Sequence, residues 1–578
     1  MKILLVHPDD SLEVGEWAGT RWDWAVDLGW SGRHAYAQQS ERLGFRVSSI
    51  YDLLDHDQHR CRMREILAPG LDHFVDFESV DWWGAFSAYT YQHIEQLILV
   101  SALGEQIPDH AEIFATHPHF TLPALSLLLD SKKREINILS ADRQSRFQAR
   151  FHRYLKAAFA LRPSQLTEIV FDKWDTDYHL RRHFVSSPKM SPTPAILLPS
   201  AYANVSRAQV AFTRMLPHRR FLLVVTRRNG RIQNLPSNVD LRSLASYAPR
   251  LLPATEEERV RLFARWQEIK NDLFETNRVL RLARELHVFD GFATFLKRGL
   301  RVRDAWREVF ARERITSVLS ADEHNPYTRI PILLARTRKL HTVFCDHGAL
   351  NMSLGIRQPV SDTYLMKGEM ARDYSVGWCG LSVGKVVVGG PQETHSLSPS
   401  SNQMPRDWIV YYSEAYELSS GRTQTFYAEL LPELCQLARQ MNRRVIVKLH
   451  PFESRRVRKA IIDRVLSAEQ RNLVEIREGP MTSDLFARAW CSLTVESSVA
   501  VESTLNGVPC FLCAWFDASW YDYGKQFAKY SAGYPLDSPQ RIREIPQMLE
   551  RFQITEAIRQ GLQTSISREN LESVLSGT

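Results

Sequence analysis

Long apolar runs are missing from this chain. The first, Met1-Lys-Ile-Leu-Leu-Val6, stops at His7-Pro8-Asp9-Asp10. That is too short for a signal peptide, and far short of the roughly 20 apolar residues of a membrane span. No later window approaches one, so the expected location is cytoplasmic. Cysteine is also scarce. Seven are scattered over 578 residues, an odd number without regular spacing, which argues against a disulfide framework and for a reducing compartment. Cys510-Phe-Leu-Cys513 is formally a CxxC, but it lies in the apolar run Val508–Ala514 with no second pair nearby and reads as buried thiols. No His, Cys or acidic cluster has metal-ligand spacing, and the formal DxD of Asp175-Thr-Asp177 is discounted. Neither a metal nor a resident cofactor is expected. Internal repeats are absent, and so is a basic stripe interleaved with aromatics, which leaves nucleic acid outside the expected partners.

What is present is ordinary for a folded protein: 44% apolar residues and 24% charged ones, over a length that needs three or four core units. The net charge of +7 is a mild basic bias. Arginine is dense in Arg298–Arg314 and Arg455–Arg464, and its planar fork matches two phosphate oxygens at once. A basic face also suits peripheral contact with an anionic inner-membrane surface.

Short apolar runs alternate with helix-patterned stretches. Strands are predicted at Lys2–Val6, Ile113–Thr116, Ile136–Leu139, Ala195–Pro199, Phe221–Thr226, Ser317–Ser320, Thr342–Cys345, Lys385–Val388, Trp408–Tyr412, Arg444–Leu449, Val474–Arg477, Cys491–Val495 and Pro509–Cys513. This βαβα pattern predicts an α/β protein with parallel sheets covered by helices. The Ser- and Pro-rich stretch 396–406 reads as a linker. It separates an N-terminal Rossmann-like lobe, 1–395, enlarged by a helical insertion around 254–312, from a C-terminal Rossmann-like lobe, 407–541. A helical tail, 542–578, is expected to pack back on the first lobe.

Three loops of the C-terminal lobe follow strands and so belong at the carboxyl edge of a parallel sheet, where such folds bind ligands. The first, Tyr411 to Arg422, is polar and contains Gly421 and Arg422 ahead of a helix. The second closes the strand Val445-Ile-Val-Lys448-Leu-His450-Pro451. Proline ends the strand and holds the imidazole at the edge, where it can donate a hydrogen bond or a proton. The third is Cys491-Ser-Leu-Thr-Val-Glu-Ser497-Ser498-Val-Ala-Val-Glu502, running into a helix that stops at Asn506-Gly507. Serines at a helix start either cap it or offer hydroxyls to a phosphate, and Glu502 lies one turn beyond Ser498.

A strand ending in His450-Pro451, then about 45 residues, then Ser497-Ser498-x3-Glu502 and Gly507-Val-Pro509, resembles the GT-B glycosyltransferases of the bacterial surface-polysaccharide type. Sialyl-, polysialyl- and Kdo transferases belong to that group, and the teichoic-acid glycerophosphotransferases are similar. The resemblance covers roughly Arg314–Pro539. It implies two Rossmann-like lobes of GT-B type, and His450, Ser497 and Ser498 on the phosphate of a nucleotide-sugar donor, a co-substrate rather than a cofactor. Lys448, Pro451, Glu502, Gly421 and Arg422 complete the expected donor site. The same pattern continues upstream in Cys345-Asp346-His347-Gly348, Asp362-Thr-Tyr364, Lys367-Gly368 and Gly389-Gly390-Pro391. By resemblance, His347 is a candidate base for the acceptor hydroxyl. The acidic base motif of related sialyltransferases has no clear copy here; Asp322-Glu323 lacks its glycine, and both residues remain candidates beside His347.

Four tryptophans follow the first strand, in Glu16-Trp17-Ala-Gly-Thr-Arg-Trp22-Asp23-Trp24-Ala-Val-Asp27-Leu-Gly-Trp30. Aromatic faces with carboxylates hold sugar rings, which makes Trp22, Asp23 and Asp27 candidates for a glycan or glycolipid acceptor; an aromatic core patch is the alternative. The leading functional expectation is an inverting, metal-independent glycosyltransferase of surface-polysaccharide biosynthesis (capsule or lipopolysaccharide), with a CMP-linked acidic sugar favoured as donor. A CDP-polyol phosphotransferase, a UDP-sugar 2-epimerase-like enzyme and a non-catalytic glycan- or nucleotide-binding protein are the alternatives.

Overall fold

The computed structural model describes residues 1–7, 10, 12, 15–29, 33–119, 121–130, 135–139, 191–227, 230–249, 253–391, 405–414, 423–451, 453–516 and 520–578. Most of the linker 396–406 lies outside them, as do Gly421, Arg422, Trp30, Asp175 and Asp177.

The described strands form three sheets, and every ladder in them is parallel. The first 395 residues, expected as one enlarged lobe, supply two sheets rather than one. β1 (Lys2–Val6), β2 (Trp24–Asp27), β3 (Arg46–Ser49), β4 (Glu112–Ala115) and β5 (Ile136–Ile138) form a five-stranded sheet in the order β3-β2-β1-β4-β5. A seven-stranded sheet follows. Its strands are β6 (Ala195–Ser200), β7 (Arg220–Val225), β8 (Val239–Ser243), β9 (Ile315–Ser320), β10 (His341–Cys345), β11 (Thr363–Met366) and β12 (Val386–Val388), in the order β12-β11-β10-β9-β6-β7-β8. The third sheet holds β13 (Trp408–Tyr412), β14 (Arg444–Lys448), β15 (Val474–Arg477), β16 (Ala489–Thr494), β17 (Cys510–Cys513) and β18 (Tyr534–Leu536), in the order β15-β14-β13-β16-β17-β18. Two compact units result: Met1–His59, Gln96–Thr167 and His395–Arg559 carry the five- and six-stranded sheets, and Arg60–Glu95, Glu168–Thr394 and Gln560–Thr578 carry the seven-stranded one.

Central parallel strands are covered on both faces, so they read as continuous apolar runs instead of alternating ones. In β13, Ile409 and Tyr411 pack with Phe426, Tyr427, Leu430 and Leu434 of the helix Thr423–Gln440. Trp408, Val410 and Tyr412 point to the opposite face, against Phe486 and Val508. All five are buried.

Between β8 and β9 stand the helices Pro253–Thr276, Arg278–Glu285 and Phe292–Arg312. They enclose an aromatic cluster in which Phe292 meets Trp266 and Phe86 at centroid distances of 4.5 and 4.3 Å. The tail is divided. Ile542 and Ile545 belong to the core of the six-stranded sheet, whereas Ile566, Leu571 and Leu575 belong to that of the seven-stranded one. There Gly390 N donates to Thr564 O and Ile566 N donates to Gly390 O. Among the described residues no helix is long and apolar enough to cross a membrane.

Candidate functional site

The six-stranded sheet runs from β13 through β14 to β15 in one direction, and through β16 and β17 to β18 in the other. The chain therefore reverses its winding between β13 and β16. Loops leaving two such strands part in opposite directions, and the gap at their carboxyl ends is where open α/β sheets take ligands. β14 and β16 both pair with β13, with Lys448 opposite Tyr412 and Leu493 opposite Tyr411. The His450-Pro451 and Ser497-Ser498 loops thus rise from one edge, two strand spacings apart, or roughly 10 Å.

Each loop is held from below by a buried glutamate that the sequence did not single out. Glu453 accepts from His450 N at 2.7 Å, from Ser413 Oγ at 2.8 Å and from Arg458 Nε at 2.7 Å. Glu453 and Arg458 are both 1% exposed at their side chains. Glu414 takes the other loop: its Oε1 accepts from Thr494 Oγ1 at 2.9 Å, Val495 N at 3.2 Å and Glu496 N at 3.0 Å. Burial pushes the Glu414 carboxyl above the usual range, opposed by those bonds. Consecutive residues at the end of β13, Ser413 and Glu414, therefore tie the two candidate donor loops to one strand. No local pattern marks them; only the pairing of β13 between β14 and β16 gives them this role.

Between the loops, the candidate residues divide. Burial and the Lys448 charge lower the His450 pKa, so near neutral pH the ring is an uncharged hydrogen-bonding group. Ser498 stands at the start of the helix Val499–Leu505 but makes no side-chain capping bond, while Ser497 Oγ accepts only a long bond from Val499 N, 3.4 Å. Plain capping does not occupy Ser498. Glu502 is exposed on the same helix, and Pro451 is exposed beside His450. Lys448 differs from the expectation. Its Nζ is buried and donates to Leu449 O at 2.9 Å and Gly479 O at 2.8 Å, joining two loops instead of facing outward.

The seven-stranded sheet has its own reversal, between β6 and β9. His347 follows β10, is exposed, and donates from Nδ1 to Ala321 O at 2.7 Å. That bond fixes the tautomer and leaves Nε2 as a proton acceptor. Asp322 spends Oδ1 on the amides of His324 and Asn325, at 2.9 and 3.1 Å. Glu323 is fully buried and accepts from Ser361 Oγ at 2.9 Å and Tyr364 OH at 3.2 Å. Burial raises its pKa. Of the three base candidates, His347 alone is exposed.

Trp22, Asp23 and Asp27 do not share a face. Trp22 is buried in the core of the five-stranded sheet with Trp17, Leu4 and Val6. Asp23 precedes β2 and accepts from Lys2 N at 2.6 Å, whereas Asp27 ends β2 and accepts from Gly29 N and Tyr36 OH. The segment is a strand, and its two carboxylates lie at opposite ends. Cys510 and Cys513 are buried thiols; burial pushes the former up to about 12 and the latter well above the usual thiol range. Among the described residues, no group of three or more His, Cys, Asp or Glu is placed to hold a metal ion.

No protein-family model and no curated protein matches the chain. Solved structures with a distant likeness include the UDP-GlcNAc 2-epimerase of Methanocaldococcus jannaschii. It is 11% identical, with 67% of this chain and all of that one covered, at a TM-score of 0.42. MurG of Acinetobacter baumannii is 11% identical over the same shares, at 0.38. A glycosyltransferase of Rickettsia africae is also 11% identical over those shares, at 0.37.

Proposed function

We propose that the chain is a nucleotide-sugar glycosyltransferase of GT-B type whose donor site is the carboxyl edge of the six-stranded sheet. The observation that carries this reading is the placement of His450 and Ser497-Ser498 on one edge beside the β13/β16 reversal, each on a loop held by a buried glutamate. In this reading Ser498 Oγ and the neutral His450 ring donate hydrogen bonds to donor phosphate oxygens, and Glu502 meets the nucleoside. Rigid donors aimed at a phosphate stabilise the charge that collects there as the sugar leaves. His347 Nε2 takes the acceptor hydroxyl proton. The hydroxyl oxygen bonds to the anomeric carbon, and the carbon–phosphate-oxygen bond breaks with its electron pair leaving on the nucleotide. Metal-independent inversion, a CMP-linked acidic sugar as donor, and an acceptor in a surface glycan or glycolipid at the inner membrane complete the proposal.

Thermal unfolding with CMP, CDP, UDP and GDP tests it. A nucleotide at 100 times its dissociation constant adds about 2.7 kcal/mol. Selective stabilisation by one nucleotide, weakened in His450→Ala and Ser498→Ala, is expected. Folded protein that responds to no nucleotide overturns the reading in favour of a glycan-binding protein without transfer. A CDP response followed by transfer of phosphate with a polyol identifies the phosphotransferase instead.

A further inference from the structure

Four arginines among the described residues are more than nine-tenths buried, and they are satisfied in two different ways. Arg303 is 1% exposed and meets Asp76 at 2.9 Å, Glu258 at 2.7 Å and Asp304 at 2.8 Å. Arg458 meets Glu453. Arg329 and Arg357, 2% and 8% exposed, have no carboxylate at ion-pair distance among the described residues. Arg329 donates to the carbonyls of Glu323 and Gln358, and Glu323 and Asp81 lie near enough to offset part of its charge. Arg357 has less. Its Nη1 donates to His324 O at 3.3 Å, its guanidinium lies over the Tyr91 ring at 5.4 Å, and its Nε is buried without a partner. Burial and the Arg329 charge push its pKa down to about 10, against weaker support from Tyr91 and Asp322.

A buried guanidinium without a counter-ion is destabilising, and residues that break a rule of folding in this way concentrate where ligands bind. Here the location agrees. His324 and Asp322 follow β9, at the winding reversal between β6 and β9 where an open parallel sheet leaves its crevice. Both His324 ring nitrogens are buried and lack partners, and the ring lies within electrostatic reach of Arg329, Arg357 and His347. A cation without a carboxylate, an imidazole without a hydrogen-bond partner among the described residues, and an exposed, tautomer-fixed histidine share one edge of one sheet.

We propose that this crevice binds an anionic oxygen group of the acceptor, a carboxylate or a phosphate, with Arg357 as its counter-ion and the His324 ring as a hydrogen-bonding neighbour. The identification of the ligand as the acceptor rests on the transferase reading, in which His347 is the base. The anion completes a pair that the chain itself leaves open, so the cost of burying Arg357 is recovered only when the acidic acceptor is present, and a neutral sugar does not recover it.

The test is binding, by calorimetry and thermal unfolding of the full chain, of three probes: glucuronate, glucose 6-phosphate and glucose. One or both charged probes bind the native protein, and whichever binds more tightly identifies carboxylate or phosphate as the group. Glucose shows no comparable response. Arg357→Met weakens the charged probe roughly thirtyfold or more, the scale for truncating one side of a buried charge pair, while the ligand-free variant melts no lower than native because an unpaired buried charge is gone. Should Arg357→Met not fold, Arg357→Lys keeps the charge but loses the fork, and a weakened charged probe is again expected. Equal binding of glucose and the charged probes, or unchanged affinity in the folded Arg357 variant, overturns the inference. So does the absence of any charged-probe response. The nucleotide response of the same samples is read separately: its presence without an anion response removes only this inference, and its absence beside an Arg357-dependent anion response removes the transferase reading.

Discussion

Replacing Glu453 by alanine removes one side of a pair in which both partners are 1% exposed at their side chains. The Arg458 guanidinium would stay buried without its 2.7 Å acceptor, and His450 N and Ser413 Oγ would lose theirs. Breaking a buried pair from one side costs about 3–5 kcal/mol, more than the pair contributes relative to an apolar replacement. Two measurements check this. Hydrogen exchange over peptides covering residues 444–458, compared between native protein and Glu453→Ala, is expected to show a large local loss of protection, because the pair anchors the loop after β14. Arg458→Met in the Glu453→Ala background is expected to restore much of it, since no charge is left stranded and the two sites are directly coupled. The nucleotide response should weaken with the single variant, as His450 loses its backbone anchor. Loss of less than about 1 kcal/mol in Glu453→Ala, or no recovery in the double variant, would refute the assignment of the pair as the loop's anchor.

Lys448→Met is expected to destabilise by about 2 kcal/mol, the scale of losing charge-assisted bonds, while a nucleotide response persists; its abolition in folded protein would return Lys448 to the phosphate site. Asp346 is 2% exposed with Oδ1 buried and unpartnered, and burial, aided by Glu323 and opposed by Lys367, pushes its pKa up to about 7. The native state therefore holds this proton more tightly than the unfolded chain. Its contribution is full below the unfolded value of 3.8 and is lost as pH rises through about 7. Asp346→Asn should raise stability at pH 8 more than at pH 5, and denaturant unfolding at the two pH values measures the difference; the opposite order would refute the sign. Gly368→Ala would put a methyl 2.5 Å from Leu562 O and 2.7 Å from Gly561 O. Backbone atoms cannot rotate away, so increased proteolysis after residue 560 is expected, and unchanged protection would show that the tail yields without cost.

The strands legible in the sequence are those with consecutive branched or aromatic residues, such as Lys2–Val6 and Trp408–Tyr412, whose bounds match the structure. Three of the missed ones, which also include β3, have a visible reason. β2 is four residues long and begins with the tryptophan of a segment read as a sugar site; its side chains are buried, so aromatic content reported a core. β8 carries Asp240 and Arg242 in alternation and β18 contains Pro535; each is an edge strand of its own sheet, where polar residues and proline are tolerated. At the candidate site, His450, Ser497 and Ser498 were visible because they stand in loops after predicted strands and together match the motifs of a resembled family. Glu414, Glu453 and Arg458 were not, because nothing near them in the chain distinguishes a loop-holding carboxylate from a solvated one.

By itself the sequence determines the alternation of strand and helix, the parallel α/β class that follows from it, and the residues that must stand at strand ends. These are local properties, set by periodicity and by the residues that stop a run. Tertiary structure alone decides that three sheets form instead of two, that β13 lies between β14 and β16, and that Lys448 faces two carbonyls. It also decides that, among the described residues, Arg303 and Arg458 find carboxylates while Arg329 and Arg357 do not. Each of these depends on contacts between distant segments, 227 residues apart for Arg303 and Asp76, and a charge carries no mark in sequence of whether its partner will be reached.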